Sequence, residues 1–367
     1  MSVAADQRWM GAALMLGRRG LGQAWPNPAV GCVIVKDGRL LARGWTQASG
    51  RPHAERHALD QLAPGAARGA TAYVTLEPCS HTGKTPPCAD ALIDAGVARV
   101  VMALTDPDPR VNGSGIARLQ AAGIDVTTDV LAEQARADQL GFLIRTQVGR
   151  PIVTLKLASS FDARIATASG ESQWITGPLA RAYVQTLRAE HDAVLVGGET
   201  ARADLPTLNL RGMGARRQPV RIVASAQLNI PHTGPLTDPN TGGPVWLLHG
   251  PDVPAIARAF WAKRATLIEV PLSDGTLDMA RALQALGDAG LTRVLCEGGG
   301  ALAASLLRAD VVDRVAGFTA GLALGADARP NLGALGVQHL ALAPRFELES
   351  VRRVGGDVLH LWRSAQT

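Results

Sequence analysis

His53 and Glu55 stand two residues apart in Pro52-His53-Ala54-Glu55, and two cysteines, each preceded by a proline, follow at Pro78-Cys79 and Pro87-Cys88. One imidazole and two thiolates can hold Zn²⁺ and leave a fourth position for water, the arrangement a catalytic zinc needs. Glu55, at the start of an expected helix, can reach that water without binding the metal. Such a carboxylate can carry protons while water replaces an amino group on a heterocyclic base. Eight residues, Ser80 to Pro87, separate the two thiols, against two in the Cys-x-x-Cys form of zinc deaminases, so the spacing alone leaves other readings open. In one, His53 is a surface or capping residue and the cysteines are small core residues. In another, the zinc is structural and His57 or His81 completes a set of four protein ligands. His57 lies one helical turn from His53, whereas His81 sits in the intercysteine loop and could contact a ligand instead.

The second half of the chain carries weaker signals. Leu295-Cys296-Glu297-Gly298-Gly299-Gly300-Ala301 reads as a strand, a glycine turn and a helix start, whose open amides can receive a phosphate. A tight strand-to-helix turn without ligand accounts for it almost as well. VGGETARADLPTLNLRG supplies a second glycine turn with hydroxyl, acid and arginine groups. Arg188 and Arg211 are candidates to grip a phosphate bidentately. Lys156 is either a charge near a cofactor or an ordinary lysine on a sheet-edge strand.

These groups must be placed by elements that alternate strand and helix along the chain. An amphipathic helix is expected over Asp6 to Leu16, then a strand at AVGCVIV, a turn at Lys36-Asp37-Gly38 and a second hairpin strand at RLLARGW. PHAERHALDQL and CADALIDAG read as helices around the strand TAYVTL, with RVVMAL as the next strand. A helix between Gly113 and Gly123 and a long one over LAEQARADQLGFLIRTQVG close this half. Periodic helix then gives way to Gly149-Arg150-Pro151, which predicts a boundary between domains 1–147 and 148–367. Beyond it, IVTLKLAS, HDAVLVG, VRIVAS, PVWLLHG, ATLIEV and TRVLCEG read as strands, and the C-terminal segment as a hairpin turning at Gly355-Gly356.

A chain of 367 residues that is 47% hydrophobic, with 40 glycines and 22 prolines spread through it, is an ordinary folded α/β protein. The net charge of +5 is dispersed, and an aromatic content of 4% leaves no stacking platform, so no nucleic-acid partner is expected. Four scattered cysteines do not make a disulfide framework, and neither a signal peptide nor a membrane span is legible. A cytoplasmic protein is expected.

The stretches Pro26-Asn27-Pro28-Ala29-Val30-Gly31, Pro52-His53-Ala54-Glu55 and TLEPCSHTGKTPPC span most of residues 8 to 110. They resemble the bifunctional riboflavin-biosynthesis deaminase/reductases, a family distinguished by the long intercysteine loop. The resemblance implies an N-terminal, cytidine-deaminase-like three-layer domain with zinc on His53, Cys79 and Cys88 and proton transfer by Glu55. It implies ring recognition by Asn27, which could equally stabilise its own loop before Pro28. KLASSFDARIA, ASGESQWITG, VGGETARADLPTL and CEGGG look like the successive motifs of the family's reductase domain, an α/β domain that resembles dihydrofolate reductase. By that likeness NADPH lies at Ala158, Trp174, Thr200, Asp204, Ser225 and the turn Gly299-Gly300. The phosphoribosyl pyrimidinone substrate, deaminated first, is then met by Ser172, Arg188, Leu208, Arg211 and Glu297 while its ribosyl group is reduced to ribityl. A homodimer is also implied. The rival within enzymes is a deaminase of free bases or nucleosides with an unrelated second domain. Two departures from the family pattern are Ala163, where a glycine is usual, and Leu205, where Asp or Asn is usual. If position 163 needs a positive φ, alanine costs about 1 kcal/mol there.

Overall fold

The computed structural model describes residues 2–81, 86–108 and 111–365, and the chain divides into two compact units, Met1–Gly149 and Arg150–Thr367. The first contains α1 (Val3–Gly17), β1 (Gly31–Lys36), β2 (Arg39–Trp45), α2 (Ala54–Leu59), β3 (Thr71–Val74), α3 (Cys88–Asp94), β4 (Arg99–Met102), α4 (Ser114–Ala121), β5 (Asp125–Thr127) and α5 (Ala132–Val148). Its sheet runs β2-β1-β3-β4-β5, antiparallel through the first three strands and parallel beyond. The β1–β2 hairpin closes on Asp37 and Gly38, both at positive φ (+51° and +74°), the backbone of a type I′ turn.

Two glycines show how helices come to cover both faces. A Cβ on Gly31 would lie 1.8 Å from the Ala13 carbonyl of α1, and one on Gly44 would lie 2.2 Å from the Ala54 carbonyl of α2. Gly44 pairs with Cys32, so it faces the side opposite to Gly31, and α1 and α2 sit on opposite faces. The strand between them, Cys32-Val33-Ile34-Val35, is therefore apolar at every position and fully buried. This is the three-layer arrangement expected from the sequence.

The second unit begins with β6 (Ile152–Ser160), β7 (Arg164–Ala166), α6 (Pro178–Ala189), β8 (Ala193–Gly197), α7 (Gly198–Asp204), β9 (Val220–Ala224), β10 (Val245–His249), α8 (Ala255–Ala262) and β11 (Thr266–Glu269). It continues through β12 (Leu272–Ser273), β13 (Thr276–Leu277), α9 (Met279–Asp288), β14 (Arg293–Cys296), α10 (Gly300–Arg308), β15 (Arg314–Ala320), β16 (Arg329–Pro330), β17 (Phe346–Val354) and β18 (Asp357–Ser364). Nine strands form one sheet in the order β11-β10-β9-β8-β14-β6-β15-β18-β17, parallel until β15 and antiparallel in the last three. This is the dihydrofolate-reductase-like half.

Two elements depart from the sequence reading. RVAGFTA, β15, carries Gly317 because the His360 ring occupies the place of its side chain, 1.9 Å from where a Cβ would stand, and the glycine hides the strand pattern. The segment read as a glycine turn after β8 contains a short helix, α7. Among the described residues no helix is long and apolar enough to cross a membrane.

Candidate active sites

Three short elements deliver the first cluster. His53 is the N-cap residue of α2, Cys88 is the first residue of α3, and Cys79 lies in the loop after β3. Their ligand atoms all lie within 4.8 Å of one another. His53 Nδ1 is 3.7 Å from Cys79 Sγ and 3.4 Å from Cys88 Sγ. With Zn–S and Zn–N bonds of ordinary length, neighbouring N and S ligands of a tetrahedral zinc stand about 3.6 Å apart, the separation His53 Nδ1 keeps from both sulfurs.

The electrostatics favour capture of a cation. The Cys79 thiol is drawn down to about 4, first by the Cys88 S–H and then, against burial, by the His53 ring. The Cys88 backbone N–H, at the start of α3, also donates to Cys79 Sγ at 3.3 Å. Cys88 is pushed well above its ordinary value, chiefly by that same contact with Cys79 and by burial. Glu55, in the first turn of α2, is only 4% exposed, and burial followed by the negative Cys79 raises its carboxyl to about 7. Asn27 stands against the far side of the ring, its Nδ2 at 3.2 Å from His53 Nε2 and 3.4 Å from the Gly50 carbonyl.

The two alternative fourth ligands are placed differently. His57 turns to the β2 side, where its Nδ1 receives the Gln47 amide at 2.9 Å and its ring meets Trp45 edge-on at 4.9 Å. His81 is outside the cluster, and among the described residues its buried Nδ1 has no hydrogen-bond partner. Thr82 to Thr85 of the TLEPCSHTGKTPPC motif lie outside the described residues. The sequence reading passed over Glu77, whose carboxylate accepts four backbone N–H groups from Asp106, Gly113, Gly115 and Ile116. Its one signal in the sequence is a carboxylate inside the buried run before Cys79.

In the second unit Gly298 packs against the end of β8, where a Cβ would lie 2.6 Å from Gly197 N and Val196 Cα. Gly299, the N-cap of α10, donates its N–H to Thr200 Oγ1 at 3.2 Å, and α10 has no side-chain cap, so its first amides remain open to a phosphate. Ser225 Oγ lies 3.0 Å from the position of a Cβ on Gly198, which places Ser225 at the start of α7. Ala158 sits within β6 opposite Phe318, and Asp204 ends α7 with a carboxyl raised by burial. Trp174 is 67% exposed under the guanidinium of Arg181, at 4.6 Å, on the segment that also carries Ser172. These features fit a dinucleotide whose phosphates meet glycine amides.

Beside them Arg188 and Glu297 form a two-pronged ion pair at 2.6 and 2.9 Å, and Arg188 Nη1 donates to the Asn209 carbonyl at 2.8 Å. Burial works against the Glu297 charge, but the Arg188 contact outweighs it and the carboxyl is lowered. Lys156 adds a positive charge near Glu297, and burial lowers its own pKa. The sheet-edge reading of Lys156 fails, because β6 lies between β14 and β15 in the interior of the sheet. Arg211 is exposed and also acts on Glu297, while Leu208 is buried nearby in the same loop. Ala163 and Leu205 both have positive φ, +61° and +43°.

Comparison with known proteins assigns both halves. Residues 3–104 match the cytidine and deoxycytidylate deaminase zinc-binding region, and residues 151–360 match the RibD C-terminal domain. The chain is 44% identical to the riboflavin biosynthesis protein RibD of Escherichia coli K12, over 97% of this chain and 99% of that one. It is 39% identical to the RibD of Haemophilus influenzae, over 96% of each. A solved Acinetobacter baumannii RibD superposes with a TM-score of 0.87 at 37% identity, covering 99% of both chains. A Thermotoga maritima structure described as a diaminohydroxyphosphoribosylaminopyrimidine deaminase and phosphoribosylaminouracil reductase superposes at 0.86 with 32% identity, again over 99% of both.

Proposed function

The chain belongs to the RibD family of riboflavin biosynthesis, an enzyme with a zinc-dependent deaminase half and an NADPH-using reductase half, and on that footing we propose how its residues divide the work. The name of the Thermotoga protein supports a phosphoribosyl diaminopyrimidinone as substrate, hydrolysed to the uracil and then reduced from ribosyl to ribityl. His53, Cys79 and Cys88 hold the zinc, which when bound supplies Lewis acidity toward a water. Glu55 takes a proton from that water and hands it to the departing amine, which leaves as ammonia. Asn27 contacts the ring of the substrate from the loop beside His53. The observation that carries this reading is a buried carboxylate in the first turn of the helix that His53 caps. Glu55→Gln should keep one zinc per chain by metal analysis and lose 100-fold or more of deaminase turnover, about the lower end for an acid–base group. Near-normal turnover would remove Glu55 from the mechanism.

In the reductase half Ala158, Trp174, Thr200, Asp204, Ser225, Gly299 and Gly300 hold NADPH, which supplies the hydride. Ser172, Leu208, Arg211 and the Arg188–Glu297 pair hold the substrate. Because Glu297 fills the Arg188 fork, Arg211 is the better placed to grip the phosphate, and Arg188 keeps Glu297 charged and oriented.

A second copy of the chain is the proposed partner. β17 is the outermost strand of the large sheet, and it and the segment before it expose Leu340 (85%), Leu342 (71%), Leu348 (52%) and Val351 (58%). Its charges run Glu347, Glu349, then Arg352, Arg353, so a copy laid antiparallel sets the acidic half against the basic half. Three ligands of the zinc are needed as two thiolates and a neutral imidazole, which supports a reducing cytoplasm as the site of action.

A further inference from the structure

We propose that Glu77 is a positioning residue for the zinc ligand Cys79, acting through the first turn of α4. The inference rests on the assignment of zinc to His53, Cys79 and Cys88. Glu77 lies two residues before Cys79 and is 4% exposed. Its Oε1 accepts Gly115 N at 2.9 Å and Ile116 N at 3.2 Å, while its Oε2 accepts Gly113 N at 3.0 Å and Asp106 N at 3.2 Å. The N-cap residue of α4 is Gly113, which offers no side-chain acceptor, so Glu77 caps this helix from outside its own chain segment.

The clamp continues on either side of Cys79. The Pro78 carbonyl lies against Gly115, where a Cβ would stand only 2.2 Å away. Ser80 Oγ meets Ser114 Oγ at 2.5 Å, and Arg118 Nη1 donates to the Ser80 carbonyl at 3.2 Å. Residues 77 and 80 are thus hydrogen-bonded to α4 and Pro78 packs against it, and the Cys79 carbonyl accepts Ala89 N of α3 at 3.2 Å. A cysteine in a loop has freedom that a metal site cannot use, because the sulfur must stand at bonding distance before the metal arrives. Here that freedom is removed by a carboxylate that accepts four backbone amides. The Glu77 bonds to the start of α4 on one side and the Ser80 contacts with Ser114 and Arg118 on the other together bracket Cys79.

The test uses the full-length chain and two substitutions that disturb the clamp differently. Glu77→Gln keeps the shape and removes the charge that four N–H groups share. Gly115→Ala keeps the Glu77 charge and pushes chiefly on the Pro78 carbonyl, 2.2 Å from the new Cβ, with Glu77 Oε1 next at 3.0 Å. Zinc affinity is measured by competition with a chromophoric chelator, and the ligand geometry by the absorption bands of the cobalt(II)-substituted protein. NADPH oxidation with the deaminated substrate reports on the other half of the chain. Each variant should bind zinc 10- to 100-fold more weakly, the range expected of outer partners of metal ligands, with altered cobalt bands and unchanged NADPH oxidation. If the carboxylate only stabilises the fold, both variants will melt earlier with and without zinc by the same amount and keep the wild-type zinc affinity and cobalt spectrum. That result overturns the proposal. Failure of the wild-type chain itself to bind zinc would instead overturn the assignment on which it rests. Should Glu77→Gln not fold, the Gly115→Ala affinity and spectrum decide.

Discussion

Ala163 holds a φ of +61° and Leu205 one of +43°, the region in which a Cβ crowds the neighbouring carbonyl. The condition under which alanine at 163 costs energy is therefore met. The turn is kept in place by Asp162, whose carboxylate accepts Ser160 Oγ at 2.5 Å and the backbone N–H groups of Leu324 and Gly325 at 3.1 and 2.8 Å. Ala163→Gly should thus keep the geometry and stabilise the second unit by about 0.5–1 kcal/mol, the relief of strain less the added freedom of the unfolded chain. A denaturant midpoint that falls on substitution would show that the turn relies on the alanine side chain. The zinc cluster was legible in the sequence because its signal is chemical: few residue types bind zinc, and prolines and helix starts mark where they stand. Glu77 was not, since its partners are backbone amides of residues 106 to 116 that no side-chain pattern announces.

His191 shows what an element can hide. At the end of α6 its ring bridges the Leu187 carbonyl at 2.6 Å and Thr154 Oγ1 of β6 at 2.8 Å, joining helix to central strand. Burial, then the Arg293 charge, holds its pKa down to about 3. The folded ring stays neutral while the unfolded one takes a proton near its ordinary value of about 6.5, so its contribution is complete above that pH and is lost as pH falls below it. Unfolding free energy of the second unit should drop by up to about 1.4 kcal/mol per pH unit from about 6.5 downward, and His191→Gln should flatten that slope. An unchanged slope in the variant would assign the acid sensitivity to other groups. At this scale the hairpin at Asp37-Gly38 and the buried strands were readable from alternation, turn residues and β-branched runs. The strand around Gly317 was not, because His360, forty-three residues later, supplies the atoms its own side chain lacks. The sheet-edge alternative for Lys156 could not be decided from the sequence, because whether a strand is central or at an edge depends on sheet order, which is a long-range property.

Over the whole chain, the two units each carry one set of chemical groups, and the exposed apolar rim of β17 is the seat proposed above for a second copy. Leu348→Lys combined with Val351→Lys should turn a wild-type dimer into monomers by light scattering after size exclusion, with each unit still folded. A wild-type monomer, or a variant that stays dimeric, would remove β17 from the interface. The order of the two halves was visible from the sequence, but the exposed apolar edge of β17 emerged only when exposure and sheet order were seen together. The most direct test of the account is mass spectrometry of products after the zinc-loaded chain meets the phosphoribosyl diaminopyrimidinone, with and without NADPH. Exchange of one amino group for oxygen without NADPH, followed by a gain of two hydrogens once NADPH is added, is the predicted result. Reduction without prior deamination, or no change of mass in either tube, would contradict it.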